Sequence, residues 1–359
     1  MTTPHPLVAH SIAVIRANQS ASGAYVASPS FGQYQACWFR DGSFIAHAMS
    51  VMTETDSATR FHDWAANVVL RHAGAARDCA ARARAGQPLD PKRILNARYS
   101  LEGEDQGDDW PNFQLDGFGT WLWASIDHAT RAGDTAAAAR WRPAWDVVAD
   151  YLGALWPLPC FDGWEEHGDQ VHITTLAALF GGLNTYAAAA GSTEAARAAA
   201  DIRAFVLTEG VQDGRLRKFA GLDSGVDAAL LGATMPYGLL RVDDPIARAT
   251  VAKIERDLRG GGVHRYATDT YYGGGEWILL TAWLGWHYAA AGQPDQAAAC
   301  LAWIERQADP NLDLAEQVHV NLIAPEKLPE WQARWGPVAT PLLWSHAQYL
   351  ILWKALNTL

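Results

Sequence analysis

Apolar residues recur at helical spacing, every three or four positions, in many segments of the chain, whereas strand-like alternation of apolar and polar residues is scarce. Alanine-rich runs at 136–139 and 187–190 favour helix over strand. We therefore predict an all-α protein. The predicted helices lie near residues 7–15, 44–52, 61–70, 119–129, 139–152, 171–188, 193–207, 245–258, 277–291, 295–304 and 341–356.

Loops of a repeated character separate these helices, and each is rich in glycine, acidic and aromatic residues. Successive loops lie roughly 40 to 70 residues apart, about the length of two helices with their connections. This spacing fits six helical hairpins closed into a double ring, an (α/α)6 barrel, in which the loops meet at one pocket. The loops are 38–42, 110–117, 162–168, 222–227, 265–277 and 314–317.

The predicted helices and loops follow one another along the chain without a linker that would separate two domains. Residues 73–91 form the one long irregular stretch, which we interpret as a surface loop. No proline- or serine-rich linker and no run of charge divides the chain. Helical barrels reach 359 residues as one unit, so we predict a single domain over residues 1–359.

Composition narrows the class of partner. The net charge of -11 repels nucleic acid and anionic lipid, and it indicates a small neutral ligand. The chain has 17 tryptophans, whose flat apolar faces suit sugar rings, although core packing also explains many of them. A small neutral oligosaccharide is therefore the expected partner, rather than nucleic acid or a membrane.

The chain shows no signal for export or for a redox role. Residues 1–6 contain no basic segment leading into a long apolar run, and no 18 apolar residues stand in succession. We therefore expect a soluble, cytoplasmic protein. The four cysteines are widely separated and form no C-x-x-C pair, so we expect free thiols rather than a zinc site or disulfides. They are Cys37, Cys79, Cys160 and Cys300.

Two separated acidic loops carry the residues needed to cleave a glycosidic bond by inversion, a general acid and a general base. Glu165 directly follows Trp164, and desolvation by an indole would raise the pKa of that carboxyl toward that of a working acid. A competing interpretation places Glu165 and Glu166 at the acidic start of the next helix. Glu316 is the candidate base, and an ordinary exposed helix position is its alternative.

Two polar clusters could grip sugar hydroxyls. Arg40 and Asp41 stand in an aromatic loop just before an apolar helix, where they could instead form an internal salt bridge or a helix cap. Arg265, Asp269 and Tyr271 precede a glycine-rich turn and Trp277, and bracing of the loop is the alternative there.

No metal or cofactor is expected. The acidic run 104–109 could suggest a divalent cation, but no basic residues stand nearby to hold a diphosphate, and we interpret it as a solvated loop. Four histidines that could be considered as ligands form no recognisable metal triad. They are His167, His172, His319 and His346.

The ordered set of motifs resembles glycoside hydrolase family 15, the glucoamylase family, and the resemblance covers most of the chain. The motifs are Trp38-Phe39-Arg40-Asp41-Gly42, Gln114-Leu115-Asp116-Gly117, Trp164-Glu165-Glu166, Arg265-Tyr266, Asp269-Thr270-Tyr271-Tyr272, Ala315-Glu316-Gln317 and Trp344-Ser345-His346. Each motif is weak alone, but their order is specific. The resemblance implies an (α/α)6 barrel with two catalytic glutamates.

The resemblance also implies roles for individual residues. Glu165 stands at the position of the family's acid, and Glu316 at that of its base. Arg40 and Asp41 match residues that hold the nonreducing-end glucose, and Tyr34 matches a tyrosine near the catalytic water. The expected substrate-binding set is Tyr34, Arg40, Asp41, Trp110, Trp164, Glu166, Arg265, Asp269, Tyr271, Trp277 and Trp344.

The expected activity is therefore inverting, exo-acting hydrolysis of an α-glucoside with release of β-glucose. The chain shows no amino-terminal β-sandwich, starch-binding module or leader, which implies a short substrate and a likeness to small bacterial isomaltose-hydrolysing enzymes. Action on α-1,4 linkages stays open. An inverting sugar phosphorylase or a sugar epimerase on the same barrel is the alternative, and we expect a monomer or weak homo-oligomer.

Overall fold

The computed structural model describes residues 5–358, which form thirteen α-helices, four 3-10 helices and three two-stranded antiparallel sheets. The helices are α1 Pro6–Ala17, α2 Phe39–Val51, α3 Thr55–Arg71, α4 Ala73–Arg84, α5 Asp116–Ala132, α6 Thr135–Leu155, α7 Ile173–Ala190, α8 Thr193–Glu209, α9 Pro245–Leu258, α10 Ile278–Ala290, α11 Pro294–Gln307, α12 Leu328–Trp335 and α13 Leu343–Leu356. The 3-10 helices are Gly32–Tyr34, Ala228–Ala233, Tyr271–Gly273 and Pro325–Lys327.

The strands are only two residues long and tie loops together. The pairs are β1 Cys37–Trp38 with β2 Arg98–Tyr99, β3 Val211–Gln212 with β4 Arg215–Leu216, and β5 Glu276–Trp277 with β6 Gln317–Val318. In the third pair, Trp277 lies opposite Gln317, which places the start of α10 beside the segment that carries Glu316.

An inner ring of six elements forms the core. It consists of α2, α5, α7, the 3-10 helix Ala228–Ala233, α10 and α13, each packed on the next, with α13 returning to α2. These helices are apolar on nearly every side, as expected of helices surrounded by protein, and twelve of the thirteen residues of α10 are buried. An outer ring of α3, α6, α8, α9, α11 and α1 covers them, so the predicted (α/α)6 barrel is confirmed.

The sixth hairpin is made of helices from opposite ends of the sequence, because α1 packs on α13. Ser11 of α1 contacts His346 of α13 through a hydrogen bond of 2.9 Å between Oγ and Nδ1. The predicted single domain reaches beyond this ring to residues 1–4 and 359, which lie outside the described residues, and that boundary stays a prediction.

Two glycines set the closest approach within the inner ring. A Cβ on Gly119 of α5 would lie 2.6 Å from the carbonyl oxygen of Ala178 in α7. A Cβ on Gly182 of α7 would lie 2.4 Å from the carbonyl oxygen of Gly119. Neither contact is sterically acceptable, so these two helices pack backbone to backbone only because both positions lack a side chain.

The structure corrects three sequence predictions. Residues 73–84 of the predicted surface loop form α4, whose alanines and Cys79 pack on the outer ring. The fourth inner element, absent from the predicted helices, is the short 3-10 helix Ala228–Ala233, because Pro236 supplies no N–H to extend it. The helix predicted from 44 begins at Phe39, so Arg40 and Asp41 lie in its first turn rather than in a loop.

By length and composition, one helix of the described residues, α7, would be long and apolar enough to cross a membrane. In this structure it lies in the inner ring between α5 and the 3-10 helix, with 61% of the helix window buried. The four cysteines are buried and free, as expected.

Candidate active site

The loops that precede the inner helices meet around a pocket of about 330 Å³. Twelve of the thirteen residues predicted for the site line it, and Asp269 is the exception. They are Tyr34, Arg40, Asp41, Trp110, Trp164, Glu165, Glu166, Arg265, Tyr271, Trp277, Glu316 and Trp344. The pocket therefore brings together side chains from positions as far apart as Tyr34 and Trp344.

Glu316 lies in the pocket wall just before β6 and is only 4% exposed. Its Oε1 accepts a hydrogen bond of 2.9 Å from the Tyr34 hydroxyl, while its Oε2 has no partner among the described residues. Burial raises the pKa of Glu316 to about 7, against the opposing effects of Tyr34, Arg265 and Tyr271. The arrangement leaves one carboxyl oxygen free to accept a proton.

The backbone around Glu316 is fixed by α13. His346 Nε2 accepts a hydrogen bond of 3.0 Å from the Leu314 amide, and the Ser345 hydroxyl donates one of 2.8 Å to the Ala315 carbonyl. Burial lowers the pKa of His346 to about 3, so this ring is neutral and can accept through Nε2. The first turn of α13 thus holds the segment leading to Glu316 in place.

Glu165 lies on a different wall of the same pocket. Its Oε1 accepts hydrogen bonds from Trp38 Nε1 at 2.7 Å and from Gln114 Nε2 at 3.1 Å. The Arg40 guanidinium lies 3.9 Å from the same oxygen. The rings of Tyr34 and Trp38 meet edge to face at 5.5 Å, so the donor bonded to Glu316 and the donor bonded to Glu165 contact each other.

The backbone at Glu165 adopts φ +68°, in the left-handed region that is uncommon for residues other than glycine. Asp162 holds this turn, since its Oδ1 accepts hydrogen bonds of 3.0 Å from the amides of both Trp164 and Glu166. The Glu165 amide itself donates to the Asp162 carbonyl at 2.9 Å. An unusual conformation kept by this many bonds at a pocket is characteristic of a functional residue.

A buried network of charged side chains, Lys218, Asp162 and Asp227, supports the turn at Glu165. Lys218 Nζ lies 3.7 Å from Asp162 and 3.2 Å from Asp227, and all three side chains are nearly inaccessible. Asp227 in turn accepts a hydrogen bond of 2.9 Å from the indole of Trp164. Burial raises the pKa of Asp162, and the nearby Lys218 opposes that effect. One lysine therefore balances two buried carboxylates.

Arg40 and Asp41 form the deep part of the pocket. Arg40 donates to Gln114 at 2.8 Å and to Asp116 at 3.0 Å, which fixes its orientation. Burial raises the pKa of Asp41 to about 6, although the adjacent Arg40 opposes the shift. A fixed guanidinium beside a carboxylate offers both donors and acceptors to neighbouring hydroxyls of a sugar.

Arg265 is enclosed by aromatic rings. Its guanidinium lies 5.2–5.3 Å from the ring centres of four aromatic residues, which are Trp164, Tyr266, Tyr271 and Trp277. Two hydrogen bonds of 2.8 and 2.5 Å join it to Asp269, and one of 3.3 Å joins it to Glu166. Asp269 is completely buried behind Arg265, so it orients that side chain and does not line the pocket.

The sequence interpretation assigned no role to four residues that the structure places at the site. Trp38 and Gln114 contact Glu165, and both belong to quoted motifs, but nothing in the sequence connects those motifs to Glu165. Trp331 and Trp335 of α12 line the pocket mouth. The Trp-x-x-x-Trp spacing, in a stretch for which the sequence pattern predicted no element, was the available signal for that pair.

The acidic run 104–109 is largely exposed, as expected of a solvated loop, and Asp108 pairs with Arg98. Arg98 lies 3.9 Å from the ring centre of Trp110, which it holds at the pocket. Among residues 5–358, one group has the spacing of metal ligands, namely His10, Asp313 and His346. Both ring nitrogens of His346 are already hydrogen-bonded, so that histidine is structural.

The family model for glycosyl hydrolases family 15 matches residues 5–354. The chain belongs to glycoside hydrolase family 15. The resemblance drawn from the motifs is thereby confirmed, and the protein is a glycosidase. Family 15 membership does not favour the phosphorylase and epimerase alternatives.

Two relatives illustrate this position within family 15. The isomaltose glucohydrolase of Kribbella flavida is 47% identical over 363 residues, which cover 99% of this chain and 94% of that protein. An uncharacterized glycosyl hydrolase of Methanocaldococcus jannaschii is 27% identical, and the match covers 92% of this chain and 52% of that protein.

Solved structures of glycosidases superpose closely on this chain. A wild-type glycosidase matches with a TM-score of 0.95 at 46% identity, covering 99% of this chain and 97% of the other. A variant glycosidase solved in complex with glucose gives the same TM-score and identity. A bacterial glucoamylase complexed with acarbose shares the fold, with a TM-score of 0.77 at 20% identity, covering 98% of this chain and 55% of the other.

Proposed function

We propose that this protein is an inverting, exo-acting α-glucoside hydrolase that releases β-glucose from the nonreducing end of short α-glucosides, with isomaltose favoured. The observation that carries the proposal is the presence of Glu165 and Glu316 in one pocket, each bonded to a different aromatic donor. The 47% identity to an isomaltose glucohydrolase supports isomaltose as substrate, and a glucose complex of a similar glycosidase supports a small sugar ligand.

In the proposed reaction, the terminal glucose occupies the deep end of the pocket, where Arg40 and Asp41 bind its hydroxyls. Glu165 gives its proton to the glycosidic oxygen as the bond to the anomeric carbon breaks. Glu316 takes a proton from the water that attacks the opposite face of that carbon, and its unpartnered Oε2 suits this step. The products are β-glucose and the leaving sugar.

An exo mode follows from the shape of the pocket. Arg40, Asp41 and Trp344 are buried and close its inner end, whereas Trp110, Trp331 and Trp335 are half-buried at its mouth. A chain can enter only by its terminal residue.

We further propose that the protein is cytoplasmic, acts as a monomer or weak homo-oligomer, needs no metal or cofactor, and binds a neutral oligosaccharide rather than nucleic acid or a membrane.

The proposal is tested with maltose, isomaltose and short dextrans, by following the anomer of the released glucose with NMR. We expect β-glucose to appear first, with isomaltose cleaved most efficiently. Glu165→Gln and Glu316→Gln should each lose several orders of magnitude in kcat. Initial release of α-glucose, or near-normal turnover in Glu316→Gln, would contradict the mechanism.

A second substrate separates the two roles. α-Glucosyl fluoride has a leaving group that departs without a proton, so it does not need the general acid. Glu165→Gln should therefore lose much less activity on the fluoride than on isomaltose, whereas Glu316→Gln should lose activity on both. Equal losses for both variants on both substrates would argue against the assignment of acid and base.

A further inference from the structure

Helix α12 carries an aromatic pair that the reaction described above does not use. Trp331 and Trp335 are four positions apart, so they share one face of the helix, and their ring centres are 5.1 Å apart. Both side chains line the pocket. The residues between them, 332–334, are exposed to solvent.

This helix does not belong to the core of the barrel. None of its eight residues is buried, and it lies between β6 and α13, outside both rings. The ring of Trp331 packs on that of Tyr271, which lines the pocket, at 5.0 Å, and the ring of Trp335 lies 6.4 Å from that of the buried Phe31. Both indoles pack on the core with part of their surface, and the remainder stays half-exposed and lines the pocket, which leaves apolar surface available to a ligand.

The depth of the pocket shows which part of a substrate this surface would meet. The terminal glucose is assigned to the inner end, at Arg40 and Asp41, which are 7% and 9% exposed. The Glu165 side chain, assigned to the oxygen of the cleaved bond, is 18% exposed, against 8% for the Arg40 side chain and 13% for that of Asp41. Whatever follows that bond must lie toward the mouth, between Trp110 and α12.

We propose that α12 forms the binding wall for the leaving sugar, and that Trp331 and Trp335 stack on its pyranose ring. The inference rests on the proposed function and extends it to the substrate beyond the cleaved bond. The flat C–H face of a pyranose and the face of an indole are complementary apolar surfaces, and no charge is required on either partner. Arg334 covers the pair from outside, with its guanidinium 4.8 Å from the Trp335 ring centre.

The test compares isomaltose with α-glucosyl fluoride, which carries the terminal glucose but no leaving sugar. Trp335→Ala should lower kcat/KM for isomaltose about tenfold or more, mainly through KM, and should change the value for the fluoride by about twofold or less. Trp331→Ala should show the same contrast, and Trp335→Phe should recover part of the loss on isomaltose. Gln332→Ala, on the exposed face of α12, is the matched control and should leave both values unchanged.

Equal losses on the two substrates would show that α12 only supports the pocket, and the absence of any loss on isomaltose would show that it contacts no substrate. Either result overturns the inference. The wild-type rates test the proposed function separately, because a wild-type enzyme that releases glucose from neither substrate would refute that function and this inference together. A Trp335→Ala variant that fails to fold is replaced by Trp335→Phe and Trp335→Leu, judged by the same contrast.

Discussion

At the scale of single residues, the electrostatics of the pocket depend on where carboxylates are buried rather than on which residues neighbour them in sequence. The sequence places Trp164 next to Glu165, but its indole bonds to Asp227, and it is Trp38 that bonds to Glu165. Burial raises the pKa of Glu316 to about 7. The proposed base, Glu316, therefore titrates near neutral pH.

This shift predicts the acidic limb of the pH profile. As the proposed base, Glu316 acts only when ionised, and its raised pKa means that it binds a proton as the pH falls through about 7. We therefore expect kcat/KM for isomaltose to fall with decreasing pH through the neutral range, rather than near pH 4.5. Asp41, whose pKa is raised to about 6, titrates in the same pocket, so the measured value belongs to the pair. A limb that lies entirely below pH 5 would contradict this assignment.

The network below the acid loop predicts a stability effect. In Lys218→Met, Asp162 and Asp227 lose their shared cation while staying buried, which should cost about 3–5 kcal/mol in the free energy of unfolding. Lys253→Met is the control, since its pair with Asp257 is a partly exposed contact one turn apart on α9, worth a few tenths of a kcal/mol. Urea denaturation measures both. Similar losses in the two variants would show that the buried network is not special.

Many residues of the candidate site could be predicted because they lie in short motifs whose residue types indicate a chemical role, such as Arg40-Asp41 and Trp164-Glu165. The residues that hold the candidate catalytic side chains in position could not be predicted, because their partners are remote in sequence. Trp38 and Glu165 are 127 positions apart, and Lys218 meets Asp162 only after α7 and α8 have folded between them. The sequence around Lys218 does not indicate that this lysine is buried, because its burial depends on the tertiary fold.

At the scale of elements, apolar periodicity predicted helices well where the pattern runs for several turns, and it failed where another feature decided the structure. The alternating alanines and arginines of α4 give little apolar contrast, yet high helix propensity makes them helical once α6 covers one face. Residues 228–233 are apolar but form only a short 3-10 helix, because a proline and a glycine follow within five residues and end it.

The glycine contact between α5 and α7 gives a prediction at this scale. Gly119→Ala places a methyl group 2.6 Å from a backbone oxygen, so the helices must separate and stability should fall by about 2–5 kcal/mol. Gly153→Ala in α6 is the matched control, since its new Cβ would meet only Ala198, at 3.9 Å, and alanine should stabilise the helix by up to about 1 kcal/mol. Thermal unfolding of the two variants should therefore shift in opposite directions. A neutral Gly119→Ala would show that the pair can separate freely.

At the scale of the whole molecule, the net charge of -11 has little effect on the binding of a neutral substrate, because a neutral molecule feels little long-range electrostatic force. We therefore expect kcat/KM for isomaltose, measured on the pH plateau, to change by about twofold or less between roughly 0.02 and 0.5 M NaCl. A steep salt dependence would show that long-range attraction drives substrate binding and would point to a charged substrate. Bovine serum albumin at equal mass controls for general effects of salt on the assay mixture.

The pairing of α1 with α13 determines when the enzyme can become active during its synthesis. Ring closure joins residues 335 positions apart, and the same helix, α13, holds the two residues that precede Glu316 through Ser345 and His346. Five hairpins can assemble as the chain leaves the ribosome, but the proposed general base has no fixed position until α13 is out of the exit tunnel and has docked against α1. A ribosome-bound chain stalled before α13 would therefore carry a nearly complete barrel and an inert catalytic centre.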